Sequence, residues 1–194
     1  MSTSVLYMSM SVDGFIAGPD DTPENPGGDR FERLHEWFVS VTGDFVRPPG
    51  SAGEMYDEMT NCGAVVSGRR TVEQVDHWGG VHPSGAIPIF VPSRRRPGPT
   101  VANYPLVTYV DDIATAMAQA KAAAGDRNVL VHGAYTAQHA LAAGVLDEIQ
   151  IHQVPVLFGA GRRLFDLLPE RIELDIVRVI DTPEATHLRY RVRS

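Results

Sequence analysis

The chain has 194 residues, 43% of them hydrophobic, which fits one folded domain spanning residues 1–194 and argues against global disorder. Its formal net charge of −7 argues against a general affinity for nucleic acid or for an anionic membrane. The lone cysteine, Cys62, excludes an internal disulfide bond. Since no signal-peptide pattern and no membrane-length apolar run is present, we expect a cytoplasmic protein.

The N-terminal part of the chain is predicted to hold one strand, followed by loops and short helices. Apolar and polar residues alternate over 6–12, which predicts a strand that stops at the turn Asp13-Gly14. Asp29 and Glu32 have the spacing of a capping box and predict the start of a helix. Two Pro- and Gly-rich segments are predicted as surface loops, namely 18–28 and 43–53.

From residue 64 onward, predicted strands and helices alternate. Strands are expected near 64–66, 87–91, 106–110, 129–131 and 149–151. Helices are expected near 71–77, with Thr71 and Gln74 as a capping box, between the cap Asp111 and Gly125, and near 136–143. The tail, 172–180 and 188–192, is typical of a hairpin. This order predicts an α/β fold with a mixed, mainly parallel sheet flanked by helices and an antiparallel C-terminal hairpin.

Three of the predicted strands end in small, hydroxyl-bearing or basic residues. Open α/β sheets bind ligands at the carboxyl ends of their strands, where glycine lets an anion approach and arginine pairs with phosphate. Each turn alone also fits an ordinary helix start or a solvated loop, but together they predict a phosphate-binding rim. Its residues are Gly68, Arg69, Arg70 and Thr71; Pro92, Ser93 and Arg94; and Gly133, Ala134, Tyr135 and Thr136.

Several common site signatures are missing from the sequence. No glycine is followed by Lys-Ser or Lys-Thr as in a Walker motif, and the G-x-G-x-x-G pattern of dinucleotide-binding folds is absent. The seven histidines lack the spacing of metal ligands, so no metal site is predicted.

Longer motifs resemble those of the dihydrofolate reductase-like family, in the branch of the C-terminal reductase domain of bifunctional riboflavin-biosynthesis enzymes. They run in the family's order along nearly the whole chain: 9–17, 67–71, 132–134, 143–148, 154–161 and 164–165. The resemblance implies NADPH along the carboxyl edge of the sheet, with the nicotinamide near Ile16 and Ala17, and a homodimer. One departure is His132, which stands where the family usually has glycine and is expected to narrow the pyrophosphate site or to shift the cofactor.

The resemblance further implies hydride transfer to a pterin-like or pyrimidine-like small heterocycle. Asp13 is the first candidate for a catalytic carboxylate that directs or relays the proton needed by the reduced product, because it ends the first strand beside the expected nicotinamide, although an Asp-Gly pair also forms ordinary turns. The second function class is a non-catalytic NADP(H)-binding or interaction module on the same fold. The alternative acids are Asp29, Glu32, Glu36 and Asp57.

Overall fold

An eight-stranded sheet draws its strands from almost the full length of the chain. The computed structural model describes residues 2–168 and 170–193. The strands are β1 (Ser4–Ser11), β2 (Phe15–Ala17), β3 (Ala64–Ser67), β4 (Ile89–Pro92), β5 (Val107–Val110), β6 (Val129–His132), β7 (Glu148–Val154), β8 (Arg162–Arg163), β9 (Leu174–Asp181) and β10 (Thr186–Val192). The main sheet has the order β5-β4-β3-β6-β1-β7-β10-β9, while β2 pairs with β8.

Helices connect these strands. The α-helices are α1 (Ala52–Thr60), α2 (Arg69–Gln74), α3 (Ile113–Ala124) and α4 (Ala134–Ala142). Short 3₁₀ segments cover Phe31–Leu34, Asp76–Gly80 and Pro99–Asn103. In the part of the chain that the structure describes, no helix is long and apolar enough to cross a membrane.

Six strands of the main sheet run parallel. β1 pairs in parallel with β6 and β7, β3 with β4 and β6, and β4 with β5. β10 is antiparallel to both β7 and β9. The mixed, mainly parallel sheet and the antiparallel C-terminal hairpin are therefore confirmed. The carboxyl ends of β1 and β3 to β7 share one edge of the sheet, which we call the carboxyl edge.

Apolar side chains pack on both faces of the sheet, as expected for strands covered by helices on both sides. On β6, Val129 and Val131 join the core cluster that contains α3 and α4, whereas Leu130 joins the cluster on the opposite face. That second cluster includes Leu34, Trp37 and residues of α1. The alternation along each strand thus divides the core into two layers.

The helix predicted to follow Asp29 is only a four-residue 3₁₀ turn, Phe31–Leu34. The residue before it is Arg30, with a φ of 62°, and no side chain caps the turn. The Asp29 carboxylate instead accepts a hydrogen bond from Asn25 Nδ2 at 3.0 Å, within the preceding loop. The predicted capping box was wrong because the Asp29 side chain hydrogen-bonds to the preceding loop and not to the start of the helix.

Two other predicted helices begin earlier than expected, because glycine takes the capping position. α2 starts at Arg69 after Gly68, and α4 starts at Ala134 after Gly133. Thr71 and Gln74 therefore lie inside α2 and form no capping box. In α3 the cap is Asp112, whose carboxylate accepts from the Thr115 N–H at 2.8 Å, and not the predicted Asp111.

Candidate functional site

Two of the predicted turns meet at the carboxyl edge. β3 and β6 are neighbours, with Ser67 opposite His132, so the turns that follow them lie side by side. A Cβ placed on Gly68 would lie 2.8 Å from Thr136 Oγ1, and one on Gly133 would lie 3.4 Å from Thr71 Oγ1. Gly133 also has a φ of 94°, which side chains rarely tolerate. Glycine is thus needed twice where α2 and α4 begin.

The third predicted turn lies one strand further out. Pro92 ends β4, which pairs with β3, so this turn is next to Gly68 along the same edge. Ser93 Oγ accepts a hydrogen bond from the Arg95 N–H and donates one to the Arg95 carbonyl, both at 3.1 Å, and Arg94 is exposed. All three predicted turns therefore lie along one side of the sheet.

A cleft of about 450 Å³ opens beside the first turn of α4. Its lining includes Tyr135 of that turn and the segment around Gly161. A Cβ on Gly161 would overlap the carbonyl oxygen of Ala17, so this segment packs directly on β2. The full lining is Phe15, Gly18, Pro19, Asp20, Asp21, Tyr135, Gly161, Arg162, Arg163 and Asp166.

The predicted nicotinamide neighbours, Ile16 and Ala17, lie in β2 next to this cleft. Their side chains are buried, with only 5% and 6% of their surface exposed, and Ile16 belongs to the core layer under α3 and α4. β2 is paired with β8, whose Arg162 and Arg163 line the cleft. Neither Ile16 nor Ala17 belongs to the lining of the cleft itself.

The arginines of α2 have different partners. Arg69 forms an ion pair with Glu73 one helical turn later, at 2.9 Å. Arg70 crosses to the 18–28 loop, where its guanidinium lies 3.1 Å from the Asp21 carboxylate. Arg162 approaches the same carboxylate at 3.5 Å and lies over the Tyr135 ring, 5.5 Å from its centroid. A cluster of opposite charges thus borders the cleft.

The Asp13 carboxylate accepts three hydrogen bonds from neighbouring groups of the protein. It accepts hydrogen bonds from Ser11 Oγ at 2.6 Å and from the N–H groups of Phe158 and Gly159 at 3.0 and 2.7 Å. The Ser11 bond, with the backbone N–H groups of Phe158 and Gly159, lowers the pKa of Asp13 to about 2. The group is therefore ionised at neutral pH and holds the loop after β7 against the end of β1.

The alternative acids lie on the surface. Asp29, Glu32, Glu36 and Asp57 are all exposed. Glu36 pairs with Arg33 at 3.1 Å and Asp57 with Arg47 at 2.7 Å, while Asp29 accepts from Asn25 as described above. None of the four lines the 450 Å³ cleft.

His132 does not point toward α4. It follows Leu130 in the two-residue alternation of β6, and its ring lies 5.7 Å from that of His82, on the face opposite α4. Burial, with a smaller contribution from the charge of His35, lowers the pKa of His132 to about 4, so the ring is neutral. The expected narrowing of the helix-start turn by this side chain is therefore not seen, since alternation places the ring on the other face.

A buried polar layer that the sequence did not reveal lies on this second face. His152 Nδ1 and His187 Nδ1 are 2.7 Å apart, and Trp37 packs on both rings at centroid distances of 4.5 and 4.8 Å. The Trp37 indole N–H donates to Ser9 Oγ at 3.0 Å. Burial, and then the charge of His187, lowers the pKa of His152 well below its usual range. Trp37 therefore covers the two histidine rings of this layer.

Sequence reasoning also missed Gln74, which donates to Asp21, and the charged residues that line the cleft, namely Asp20, Asp21, Arg162, Arg163 and Asp166. One local signal points to Arg162 and Arg163, because Gly161-Arg162-Arg163 repeats the tripeptide Gly68-Arg69-Arg70 of the turn after β3. Over residues 2–168 and 170–193, no group of three or more His, Cys, Asp or Glu side chains is arranged to hold a metal ion.

Comparisons with solved structures reveal the same fold in riboflavin-related proteins. A Shewanella sp. PV-4 protein assigned by its description to riboflavin biosynthesis is 21% identical, with a TM-score of 0.72 and 99% of each chain covered. A pyrimidine reductase-like protein from Corynebacterium diphtheriae is 11% identical, with a TM-score of 0.64, over 100% of this chain and 92% of that one.

A bifunctional relative shows the fold as part of a longer chain. The Thermotoga maritima diaminohydroxyphosphoribosylaminopyrimidine deaminase/5-amino-6-(5-phosphoribosylamino)uracil reductase is 14% identical, with a TM-score of 0.59. The alignment covers 99% of the present chain but 57% of that protein, so the chain spans just over half of it. These neighbours have the dihydrofolate reductase-like fold.

A search of curated proteins found no match to this chain. The sequence profile of the RibD C-terminal domain, by contrast, matches residues 3–188, which is nearly the whole length. The profile covers the turns of the carboxyl edge, the cleft and most of the hairpin. The chain therefore belongs to the RibD C-terminal domain family.

Proposed function

We propose that this protein is an NADPH-dependent reductase that transfers hydride to a pterin-like or pyrimidine-like small heterocycle. The observation that supports this proposal is the close approach of the two glycine turns. A Cβ on Gly68 would contact Thr136, and a Cβ on Gly133 would contact Thr71. Family membership supports the reductase class, because the bifunctional and pyrimidine reductase-like neighbours bear that activity in their names.

The residues at the edge fit the phosphates of a dinucleotide. The N-terminal N–H groups of a helix have no partners within the helix and favour anions. α4 presents such groups from Ala134, Tyr135 and Thr136, with Gly133 leaving space in front of them. The hydroxyl of Thr136 and the turn at Gly68 would complete this cradle for the pyrophosphate.

Further along the edge, Pro92, Ser93 and Arg94 would receive the phosphate on the adenosine ribose. A hydroxyl beside an exposed guanidinium suits a phosphate monoester, which is the group that distinguishes NADPH from NADH. At the other end, the backbone of Ile16 and Ala17 would lie against the nicotinamide. When bound, the coenzyme supplies the hydride, and the protein supplies position and electrostatics.

We assign Asp13 a positioning role in this reaction. A carboxyl group with a pKa of about 2 holds no proton at neutral pH, so it cannot donate one to the reduced product. Its three hydrogen bonds instead fix the backbone at Phe158 and Gly159 beside the end of β1. Asp13→Asn is expected to slow turnover by loosening this loop and not by removing an acid.

The test begins with binding. In thermal unfolding assays, NADPH is expected to raise the melting temperature more than NADH does, and Arg94→Ala is expected to remove the difference. Arg96→Ala is the matched control, because Arg96 is an exposed arginine in the same loop. Equal shifts with the two coenzymes in the wild type would contradict the role of Ser93 and Arg94.

Turnover is tested separately. NADPH oxidation should be followed by absorbance in two separate assays, one with 5-amino-6-(5-phosphoribosylamino)uracil, the compound that names the reductase activity of the Thermotoga maritima neighbour, and one with dihydrofolate. If the protein binds NADPH but does not oxidise it with either compound, a non-catalytic NADP(H)-binding module would be favoured. That alternative has one observation in its favour, since Asp13 is committed to hydrogen bonds and the other candidate acids are exposed and outside the cleft.

We further propose that the protein forms a homodimer. β9 lies at the end of the sheet and exposes apolar side chains. Exposed edge strands of this kind favour pairing with a second chain unless charges protect them. The exposed residues are Leu174, Ile176, Val177 and Val179.

A further inference from the structure

The Asp21 carboxylate occupies a socket of nitrogen donors at the border of the cleft. Gln74 Nε2 donates to Oδ1 at 2.6 Å and the Gly27 N–H donates to the same oxygen at 3.0 Å. Arg70 Nε donates to Oδ2 at 3.2 Å, and Arg162 lies 3.5 Å from Oδ2. A single carboxylate is thus held by two guanidinium groups, one amide and one backbone N–H.

This socket joins parts of the chain that are far apart in sequence. Arg70 and Gln74 lie on α2, and Arg162 lies on β8 over the ring of Tyr135, in the first turn of α4. The Asp21 side chain is only 10% exposed, whereas that of Arg70 is 51% exposed. The acidic side chain is therefore buried between basic groups that remain open to solvent.

The charge balance favours an anion at this position. Burial alone would raise the pKa of the Asp21 carboxyl, but the hydrogen bonds from Gln74 and Gly27 and the charges of Arg70 and Arg162 outweigh it and lower the pKa. Paired guanidinium groups are also the usual partners of phosphate oxygens. A phosphate group presents the same acceptor chemistry as the carboxylate, with more charge and one more oxygen.

The loop that carries Asp21 is tied down mainly at its base. The Gly18 N–H donates to the Gly27 carbonyl at 2.8 Å, and the Asp29 N–H donates to the Pro19 carbonyl at 2.8 Å. Beyond this base, contacts of the loop to α2 come from Asp21 itself and from Gln74 Nε2 to the Thr22 carbonyl at 3.3 Å. Displacement of the Asp21 carboxylate would therefore leave the base intact, and the hydrogen bonds from α2 that remain on the loop would be those of Arg70 to the Asp21 carbonyl and of Gln74 to the Thr22 carbonyl.

We propose that Arg70, Gln74 and Arg162 form a phosphate-binding site which the Asp21 carboxylate occupies as an internal competitor, and which a phosphate group of a ligand takes over when it binds. The incoming anion has to displace the Asp21 carboxylate, which is the only buried carboxylate of the 18–28 loop. The loop then acts as a latch on the cleft. The proposal rests on the proposed function only for the identity of the ligand. The socket itself is defined by its contacts.

The test compares two neighbouring aspartates. Asp21→Asn keeps the shape of the side chain but removes its charge, and Asp20→Asn is the matched control, since Asp20 is exposed in the same loop. Binding of NADPH and of inorganic pyrophosphate is measured by isothermal titration calorimetry on the full-length protein. If the site is free in about a tenth of molecules, Asp21→Asn should bind pyrophosphate about tenfold more tightly, with Asp20→Asn equal to wild type.

Arg162→Gln in the Asp21→Asn background should abolish the gain, because it removes one guanidinium of the socket. If Asp21→Asn unfolds, Asp21→Ser serves as the second variant, with folding checked by thermal unfolding. Equal or weaker pyrophosphate binding by a folded Asp21 variant would overturn the latch.

The outcome with NADPH separates this proposal from the proposed function. Tighter pyrophosphate binding by Asp21→Asn without any NADPH binding would support the latch and refute the coenzyme assignment. Wild-type-like binding of both ligands by Asp21→Asn would refute the latch while leaving NADPH as the coenzyme.

Discussion

Acidification from about pH 7 to about pH 5 is expected to destabilise the protein through its buried histidines. In the folded chain, burial lowers the pKa of His187, with a smaller opposing effect of Glu184, from 6.5 to about 4. Burial likewise lowers the pKa values of His35 and His132 to about 4 and of His82 to about 3. These rings are neutral in the folded state at pH values where the unfolded chain is protonated.

The sign follows from proton linkage. Because the folded pKa lies below the unfolded one, the unfolded state binds more protons between pH 6.5 and 4. The stabilisation is fully present above pH 6.5 and is lost as the pH falls through this window. For His187, which is 1% exposed, a shift from 6.5 to about 4 corresponds to a loss of about 2 kcal/mol at pH 5. His35, His82 and His132 act in the same direction.

The assay is urea denaturation at pH 7, 6 and 5, followed by tryptophan fluorescence, since Trp37 packs on His152 and His187. The free energy of unfolding should fall by several kcal/mol, a large part of the ~5–15 kcal/mol typical of domains. His139→Gln is the control, because His139 is exposed on α4, and it should keep the wild-type pH dependence. A free energy that stays level from pH 7 to 5 would refute the assignment of neutral buried rings.

Two further predictions concern the cradle and the edge strand. Gly133→Ala should lower the free energy of unfolding by about 1–3 kcal/mol, because φ is 94° there, a backbone conformation that side chains rarely adopt; it should also weaken NADPH binding. Urea denaturation and calorimetry measure both effects, and an unchanged variant would argue against the cradle. Ile176→Lys places a charge on the edge strand β9, where Ile176 is 71% exposed. Sedimentation should show a shift from dimer to monomer, with Glu173→Lys as the exposed control, and a wild type that sediments as a monomer would refute the dimer.

Much of the fold could be predicted because the signals are local. The alternation over residues 6–12 corresponds to β1, and the tail hairpin corresponds to β9 and β10. Helix starts were less accurate, since α2 and α4, which are capped by Gly68 and Gly133, begin two residues before the predicted positions. The cap predicted at Asp29 failed for a different reason, because its carboxylate accepts a hydrogen bond from Asn25 in the preceding loop.

At the candidate site, the order of strands and turns along the chain predicted which turns would lie together, but the sequence did not predict which side chains would pair. Turns that follow parallel strands must reach one edge, which is why Gly68 and Thr136 could be expected to lie close together. The pairing of Arg70 with Asp21 joins residues 49 positions apart, and no periodicity predicts it. The same holds for His152 and His187, whose rings meet because β7 and β10 pair in a particular register.

The sequence by itself determined the class of fold, the order of strands and helices, and the glycine turns after β3 and β6, because each depends on residues close together in the chain. Only the tertiary structure decided that Asp13 is an ionised anchor, that His132 faces away from α4, and that Asp21 fills a socket of arginines. These outcomes depend on burial and on partners brought together by strand pairing, and the linear order of residues does not specify either.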